Sequence, residues 1–398
     1  MMKKGNMLKV CGGIAGLSMV AFFMLTTSAG AKITGICSNC HTMHNSQDGN
    51  TVAYSGNGAA WNGGVITGTG GSTAANAQLL VSDCVGCHSN TGGATIVNVG
   101  GSTIPIVWNT GGYPANPLAG GNFADVPTDT TTGHNVFGIA GVDTNLSYAP
   151  GAFNDTGGIA IGCSNSCHVS LAQPDSWNAL GGNEPGGCKG CHNYVAHHAN
   201  NDANTQPRPT AANGGYRFLG PPAGHNVMGG TVDGVEDPDW EATTSATDHN
   251  IYAAEHANDY EDPQSMGKFC AGCHGSFHAN GVANNMTWQE TGINNGDGGA
   301  NPWIRHPANF GIPNSGEFTQ VIGQAYDPTI PVAMDVQTAY AAGTVNTGDQ
   351  VFCLSCHRAH GSQYPDMLRF DYSQVIAHTG TGNSTNGCFF CHRNKDNP

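Results

Sequence analysis

Cys37-Ser38-Asn39-Cys40-His41-Thr42-Met43-His44 sets the terms on which the rest of the chain is read. A Cys-x-x-Cys-His run is the attachment signal for c-type haem: the two thiols add to porphyrin vinyl groups and the histidine becomes the proximal iron ligand. On one helical turn, positions i, i+3 and i+4 share a side, so both sulfurs and the imidazole address one macrocycle. His44 follows three residues after His41, too close to reach the opposite face of the same ring. Its lone pair is free for a different iron.

The same pattern recurs as Cys84/Cys87/His88, Cys188/Cys191/His192, Cys270/Cys273/His274, Cys353/Cys356/His357 and Cys388/Cys391/His392, six regular sites in all. A seventh run, Cys163-Ser164-Asn165-Ser166-Cys167-His168, has three spacer residues. Of fifteen cysteines, Cys11 lies in the leader and the other fourteen form seven pairs, so none remains for a structural disulfide. Zinc sites share the Cys-x-x-Cys spacing, but a histidine directly after the second cysteine in six repeats points to haem. The expected cofactor is seven covalent haems c, or six if the Cys163 site is empty.

Residues 1–31 carry Lys3, Lys4 and Lys9, an apolar run from Val10 to Leu25, and small residues ending Ala29-Gly30-Ala31. That is the plan of a secretory signal cleaved after Ala31. The apolar run is shorter than the roughly 20 residues that span a bilayer, so no membrane attachment is expected after cleavage. Haem attachment belongs to the exported compartment, and leader and motifs agree. Residues 32–398 are read as a single domain.

With 59 glycines among 398 residues and 38% hydrophobic residues, the chain has too little apolar material for an ordinary core of its length. The expected architecture is therefore a multihaem c-type cytochrome, mostly loops with few short helices and strands wrapped around a stacked haem chain. Removing the three leader lysines from thirteen basic residues leaves ten against 28 acidic ones, a formal −18. Haem propionates add to that charge, which argues against nucleic acid or anionic lipid as partners.

Loops and short strands are expected between Asn45 and Ser82 and again over 89–162. Gly133-His134-Asn135-Val136 recurs as Gly224-His225-Asn226-Val227, with Asp248-His249-Asn250-Ile251 a looser third copy. Glycine lets a backbone approach a flat ring, and Asn holds a loop through its own backbone. His134 and His225 are accordingly read as distal haem ligands. Thr247 to Tyr260 is the best helix candidate, ended by Pro263. The third and fourth motifs begin 25 residues apart and the last two 35 apart, which brings their haems close, whereas the other intervals are longer and uneven and argue against a solenoid.

Eighteen histidines minus seven proximal ones leaves eleven, enough to give every iron a second imidazole and leave no open face for a substrate. The distal choices are His44, His134, His197, His225, His278, His306 and His360, with His198, His249, His256 and His378 in reserve. His197 and His198 are adjacent and not separable by this reasoning. Which histidine serves which haem is open at this stage.

Three stretches resemble the extracellular multihaem cytochromes of metal-respiring bacteria that polymerise into conductive filaments, the OmcS type. They are residues 37–46; Met266 to His274 with Arg305-His306-Pro307; and Cys353 to His360 continuing through Met367-Leu368-Arg369-Phe370. The resemblance implies head-to-tail filaments of identical subunits, His44 ligating a haem of the neighbouring subunit, and electron exchange with other redox cytochromes or external acceptors at or beyond the outer cell surface. This chain departs from the pattern in its greater number of haem motifs and in the spacer of the third. Its expected role is extracellular electron transfer rather than catalysis. A monomeric periplasmic shuttle is the alternative, and a reductase of a small nitrogen or sulfur oxyanion a further one that needs an iron with an exchangeable face.

Overall fold

Each described Cys-x-x-Cys-His has its first cysteine in a short helical turn. In the computed structural model, the described residues are 46–47, 50–51, 84–99, 102–145, 171–173, 176–177, 183–184, 186–192, 197, 216, 218–219, 232–254, 265–271, 273–274, 306, 308–334, 343–376 and 387–393. The turns are α1 (Cys84–His88), α2 (Met266–Ala271) and α3 (Cys353–Cys356), with 3-10 turns at Gly187–Gly190 and Gly387–Phe390. The histidine N–H donates to the carbonyl of the first cysteine in four motifs: His192 to Cys188 at 2.8 Å, His274 to Cys270 at 3.0 Å, His357 to Cys353 at 3.0 Å and His392 to Cys388 at 2.9 Å. One turn is below the length that sustains a helix alone, so tertiary contacts must hold these turns.

The second cysteine of a motif is not always helical, which corrects the expectation of one regular turn throughout. Cys87 lies inside α1, as the spacing implies. Cys273 lies beyond the end of α2, in a tighter turn where its N–H donates to the Cys270 carbonyl at 3.1 Å. Cys191 and Cys391 make the same bond to Cys188 and Cys388, both at 3.2 Å. Such i to i+3 bonds are how a short helix tightens its last turn.

Strands are short and pair in twos. Ile96–Val99 runs antiparallel to Ser102–Pro105, and Ser89–Asn90 pairs in parallel with Trp108–Asn109 directly behind His88. Buried Asn109 and Asn122 lock that region: Asn109 N–H donates to Asn122 Oδ1 at 3.0 Å and Asn122 Nδ2 to Asn109 Oδ1 at 2.7 Å. Ser46–Gln47 pairs with Asn50–Thr51, which fits the expected loops and short strands. Apolar side chains gather in separate clusters rather than one core. Val85, Trp108, Phe123, Val126, Val136 and Ile139 form one; Tyr216, Val232, Tyr252, Met266, Phe352 and Leu354 a second; Ile312, Val321, Tyr326, Val332, Val345, Phe370 and Phe390 a third.

The segment following α3 ties these parts together. Arg358 donates to the carbonyls of Leu118 and Ala119 at 2.9 and 3.3 Å, and Arg369 donates to those of His357, Pro328 and Ala119. Burial, and then Arg369, push the Arg358 guanidinium down to about 10, so carbonyl acceptors hold two neighbouring cations here. Beside them three chain segments meet at glycines: Gly361 bridges both Gly121 and Gly133, His360 N–H donates to the Gly120 carbonyl at 2.7 Å, and His134 N–H to the His360 carbonyl at 3.2 Å. A Cβ on Gly121 would strike the Gly361 carbonyl, and Gly121 also holds φ +85. Only glycine meets both demands.

A second expectation is also corrected. Residues 247–254 are not helical: Ile251–Tyr252 is a strand paired with Gly234–Val235, and Ala253 bridges Met334. Tyr252 and Asn250 are buried, and the side-chain packing and ladder bonds of this segment outweigh its helical propensity. Residues 255–260 lie outside the described residues, as do the leader, Cys37, Cys40, His41, His44, Cys163, Cys167, His168, His198, His225, His256, His278 and His378. Among the described residues no helix is long and apolar enough to cross a membrane.

Two outcomes follow. Gly121→Ala in the haem-loaded protein should cost about 1–3 kcal/mol through backbone strain and overpacking; a thermal melt superimposable on the parent's would show that the glycine junction does not hold the fold. The second concerns Asp237, which burial and then a hydrogen bond with Asp239 push up to about 7, while hydrogen bonds from Asp237 and Thr243 outweigh burial and lower Asp239. Asp239 Oδ1 is buried without a fixed donor. Asp237 binds its proton more tightly folded than unfolded, so its contribution is full below the ordinary value of 3.8 and lost as pH rises through about 7. Amide exchange at Glu241 and Asn250 should speed up, relative to intrinsic rates, between about pH 5 and about pH 8, and Asp237→Asn should flatten that rise.

Candidate haem sites

Four pairs of imidazoles face one another across nearly the same gap. Ring centroids are 6.2 Å apart for His88–His197, 6.1 Å for His134–His274, 6.0 Å for His192–His360 and 6.2 Å for His306–His392, with interplanar angles of 24°, 54°, 54° and 80°. A ligating imidazole nitrogen lies about 2 Å from a first-row metal, with its ring centroid roughly 1 Å further back, so two rings opposed across one iron stand about 6 Å apart. Rings packed face to face stand closer, as His249 on Tyr326 does at 3.8 Å. Each of the four pairs joins a histidine of a Cys-x-x-Cys-His turn to one of the histidines chosen as distal ligands.

The partners of each ring set its tautomer. Carbonyl oxygen only accepts, so Nδ1 must donate in His88 to Pro105 at 2.8 Å, His134 to Ala359 at 2.7 Å, His192 to Phe218 at 3.2 Å and His357 to Asp366 at 2.7 Å. That leaves the Nε2 lone pair for a metal. His392 differs, with Nδ1 3.2 Å from Glu317 Oε1. His360 Nδ1 is buried against the backbone of Gly120 and Gly121 without a well-formed hydrogen bond. Burial pushes His134, His192 and His357 below their ordinary values and His360 down to about 3, favouring the neutral ring that a metal ligand requires. Phenylalanines fix three rings: Phe123 on His360 at 5.0 Å, Phe218 on His197 at 5.1 Å and Phe318 on His392 at 5.2 Å.

The cysteines expected to anchor these haems are described at five motifs: Cys84 with Cys87, Cys188 with Cys191, Cys270 with Cys273, Cys353 with Cys356, and Cys388 with Cys391. All ten are thiols outside any disulfide. Cys87 and Cys273 are half-buried. Burial pushes the free thiol of Cys356 up to about 12 and that of Cys391 up to about 11. The motifs are also neighbours in chain order: His88 lies within electrostatic reach of His192, Cys191 and Cys273 of Cys270, and Cys356 of Cys388 and Cys391, while Cys270 and Cys353 share a hydrogen bond. Thiol pairs, facing imidazoles and gap width together fit a covalent, six-coordinate haem at four of the five described motifs. For the fifth, no ring faces His357 at this gap among the described residues.

Of the reserve histidines, His249 is described and sits apart from these pairs. Its Nδ1 and Nε2 lie 2.7 and 3.1 Å from the carbonyls of Asn250 and Ala246, so both ring nitrogens are occupied locally. Asn135, expected to brace its loop, instead buries an Oδ1 with no hydrogen-bond partner. The pairing itself had no signal in the sequence. The facing rings lie 86 to 168 positions apart, and no local spacing encodes such a distance.

A family model for a doubled CXXCH motif matches residues 343–397, the segment holding the last two sites. The chain is 25% identical to the C-type cytochrome OmcS of Geobacter sulfurreducens, over 97% of this chain and 90% of that protein. Solved structures that the chain matches include the outer membrane cytochrome S filament of Geobacter sulfurreducens, at TM-score 0.45 and 19% identity, and the OmcS nanowires of the same organism, at TM-score 0.40 and 18% identity. Each match covers 90% of this chain and 88% of the solved chain. The motifs and this architecture make the chain a multihaem c-type cytochrome built mostly of loops with few short helices and strands. It is similar to OmcS along nearly its whole length.

Proposed function

We propose that the chain carries electrons outside the cell as a heptahaem c-type cytochrome and is the subunit of a filament built from copies of itself. The observation that carries the electron-transfer reading is the set of four imidazole pairs at 6.0–6.2 Å, each beside a pair of cysteines. His197 with His88, His134 with His274, His360 with His192 and His306 with His392 are assigned as axial pairs. His41, His168 and His357 are proximal ligands of the remaining sites, with His44, His225 and His278 among the distal ones.

When bound, haem c supplies a one-electron iron couple. The chain's own residues do the rest. With haem bound, the paired imidazoles would hold the iron from both sides and so leave no place for substrates or exogenous ligands. Carbonyl acceptors at Nδ1 hold the rings in one tautomer, and the cysteines, Cys87 and Cys273 included, would anchor the macrocycles. Similarity to OmcS over 97% of the chain supports the extracellular setting. The stretches at 37–46, 266–274, 305–307 and 353–370, which resemble filament-forming cytochromes, support assembly through His44. A head-to-tail contact that does not close generates an open filament. An iron–imidazole bond would offset the repulsion of subunits that each carry a formal −18.

Intact mass should show seven haem increments; six, with Cys163 and Cys167 joined as a disulfide, would remove the third site. His197→Gly should convert one haem to a high-spin form that binds carbon monoxide, whereas His198→Gly should leave the spectrum low-spin. The reverse result would exchange the two assignments. His44→Ala should retain every haem yet fail to form filaments. Filaments of parental length in electron micrographs of that variant, with all irons low-spin, would end the assembly proposal.

A further inference from the structure

Hydrogen-bond partners stand at Nδ1 of His88, His134, His192, His357 and His392, and the last of these partners is unlike the rest. His88, His134, His192 and His357 all donate to backbone carbonyls. His392 instead faces the Glu317 carboxylate at 3.2 Å, the two side chains being 23% and 21% exposed. Both Glu317 and Phe318 lie on the 3-10 turn Gly316–Gln320, which presents the carboxylate to Nδ1 and the phenyl edge to the ring plane at 5.2 Å. The carboxylate is thus placed by a packed element rather than by a loose surface side chain. Phe318 and Val321 of this segment join the cluster containing Phe370 and Phe390.

We infer that Glu317 is a positioning and tuning residue that lowers the reduction potential of the haem held at Cys388 and Cys391, relative to the same haem with a neutral acceptor at Nδ1 of His392. A carboxylate accepting the Nδ1 proton draws it from the ring and makes Nε2 the stronger electron donor. Stronger donation favours Fe(III) over Fe(II). The negative charge acts in the same direction, since reduction removes one positive charge from the iron beside it. A neutral carbonyl orients a ring in the same tautomer with much less of either effect. The Cys388 motif adjoins the Cys353 motif in space. A lowered potential here makes transfer from the Cys353 site onto this iron less favourable.

This inference rests on the axial assignment of His392 and His306 proposed above, which haem counting and the low-spin spectrum test separately. Spectroelectrochemical titration of the full haem-loaded protein is the direct experiment. Glu317→Gln keeps a neutral acceptor in place, so a merely structural role predicts no change. The tuning role predicts that one step of the titration moves upward by about tenfold in its equilibrium, 59 mV for one electron, with haem count and low-spin character retained. Glu317→Ala should move the same step at least as far, and Glu317→Asp should move it less. An unchanged titration in Gln and Ala variants that keep all haems would overturn the inference. So would an equal shift in the Gln and Asp variants, since that follows packing rather than charge. If the Gln variant loses the haem, the Asp variant decides: a potential equal to or above that of an intact Ala variant is the overturning result.

Discussion

The proposed sites depend on one constraint: two imidazoles must be held about 6 Å apart, lone pairs facing, by segments that are far apart in the chain. A gap of that width resists collapse only if each ring is fixed from behind. Nδ1 hydrogen bonds to Pro105, Ala359 and Phe218 do this for three rings, and phenylalanines 123, 218 and 318 do it for others. The short strands and scattered turns are the means of delivering carbonyls and aromatic edges to these positions. Regular elements longer than a few residues are not needed for that purpose.

Apolar packing is accordingly divided. Among the described residues, three clusters each include a spacer residue from inside a haem motif: Val85, Leu354 and Phe390. None is large enough to organise a chain of this length by itself. Buried polar groups take up part of the load, with the Asn109–Asn122 exchange behind His88 and the two arginines beside His357 as the clearest cases. Each satisfies carbonyls or amides that loops leave unpaired, a requirement that grows as helices and sheets shrink.

The chemistry of the sites was legible in the sequence because it is local. Two cysteines and a histidine within five positions must share a turn, and the turns at 84–88, 188–192, 270–274, 353–357 and 388–392 have that form. Whether the turn is α-helical through the second cysteine, as at Cys87, or already tightened, as at Cys273, depends on packing that the spacing does not encode. The loop-rich architecture was legible from glycine content and apolar deficit. What could not be read was long-range. Nothing in Gly133-His134-Asn135-Val136 names His274 as the facing ring, and nothing beside His360 names His192. The helix expected from Thr247 failed for a related reason: its Tyr252 is spent on Tyr216 and Phe352, contacts invisible to periodicity. Glu317 carried no signal either, being one acid among 28 until the fold sets it against His392.

The order of the motifs and the order of the facing rings differ, and the difference has a mechanical consequence. In space the described motifs follow chain order, yet the ring facing His88 comes from beyond the 188 motif, and the ring facing His192 from beyond the 353 motif. Segment 357–361 therefore carries His357 of one site and His360 of another, with Ala359 between them holding His134 of a third. A displacement of that segment moves three neighbouring sites together rather than opening one gap. The glycine junction at 121, 133 and 361 clamps the same segment from the other side. Loops braced at so many shared points can hold haem spacing as firmly as helices, and constant spacing is the structural requirement of electron transfer along a row.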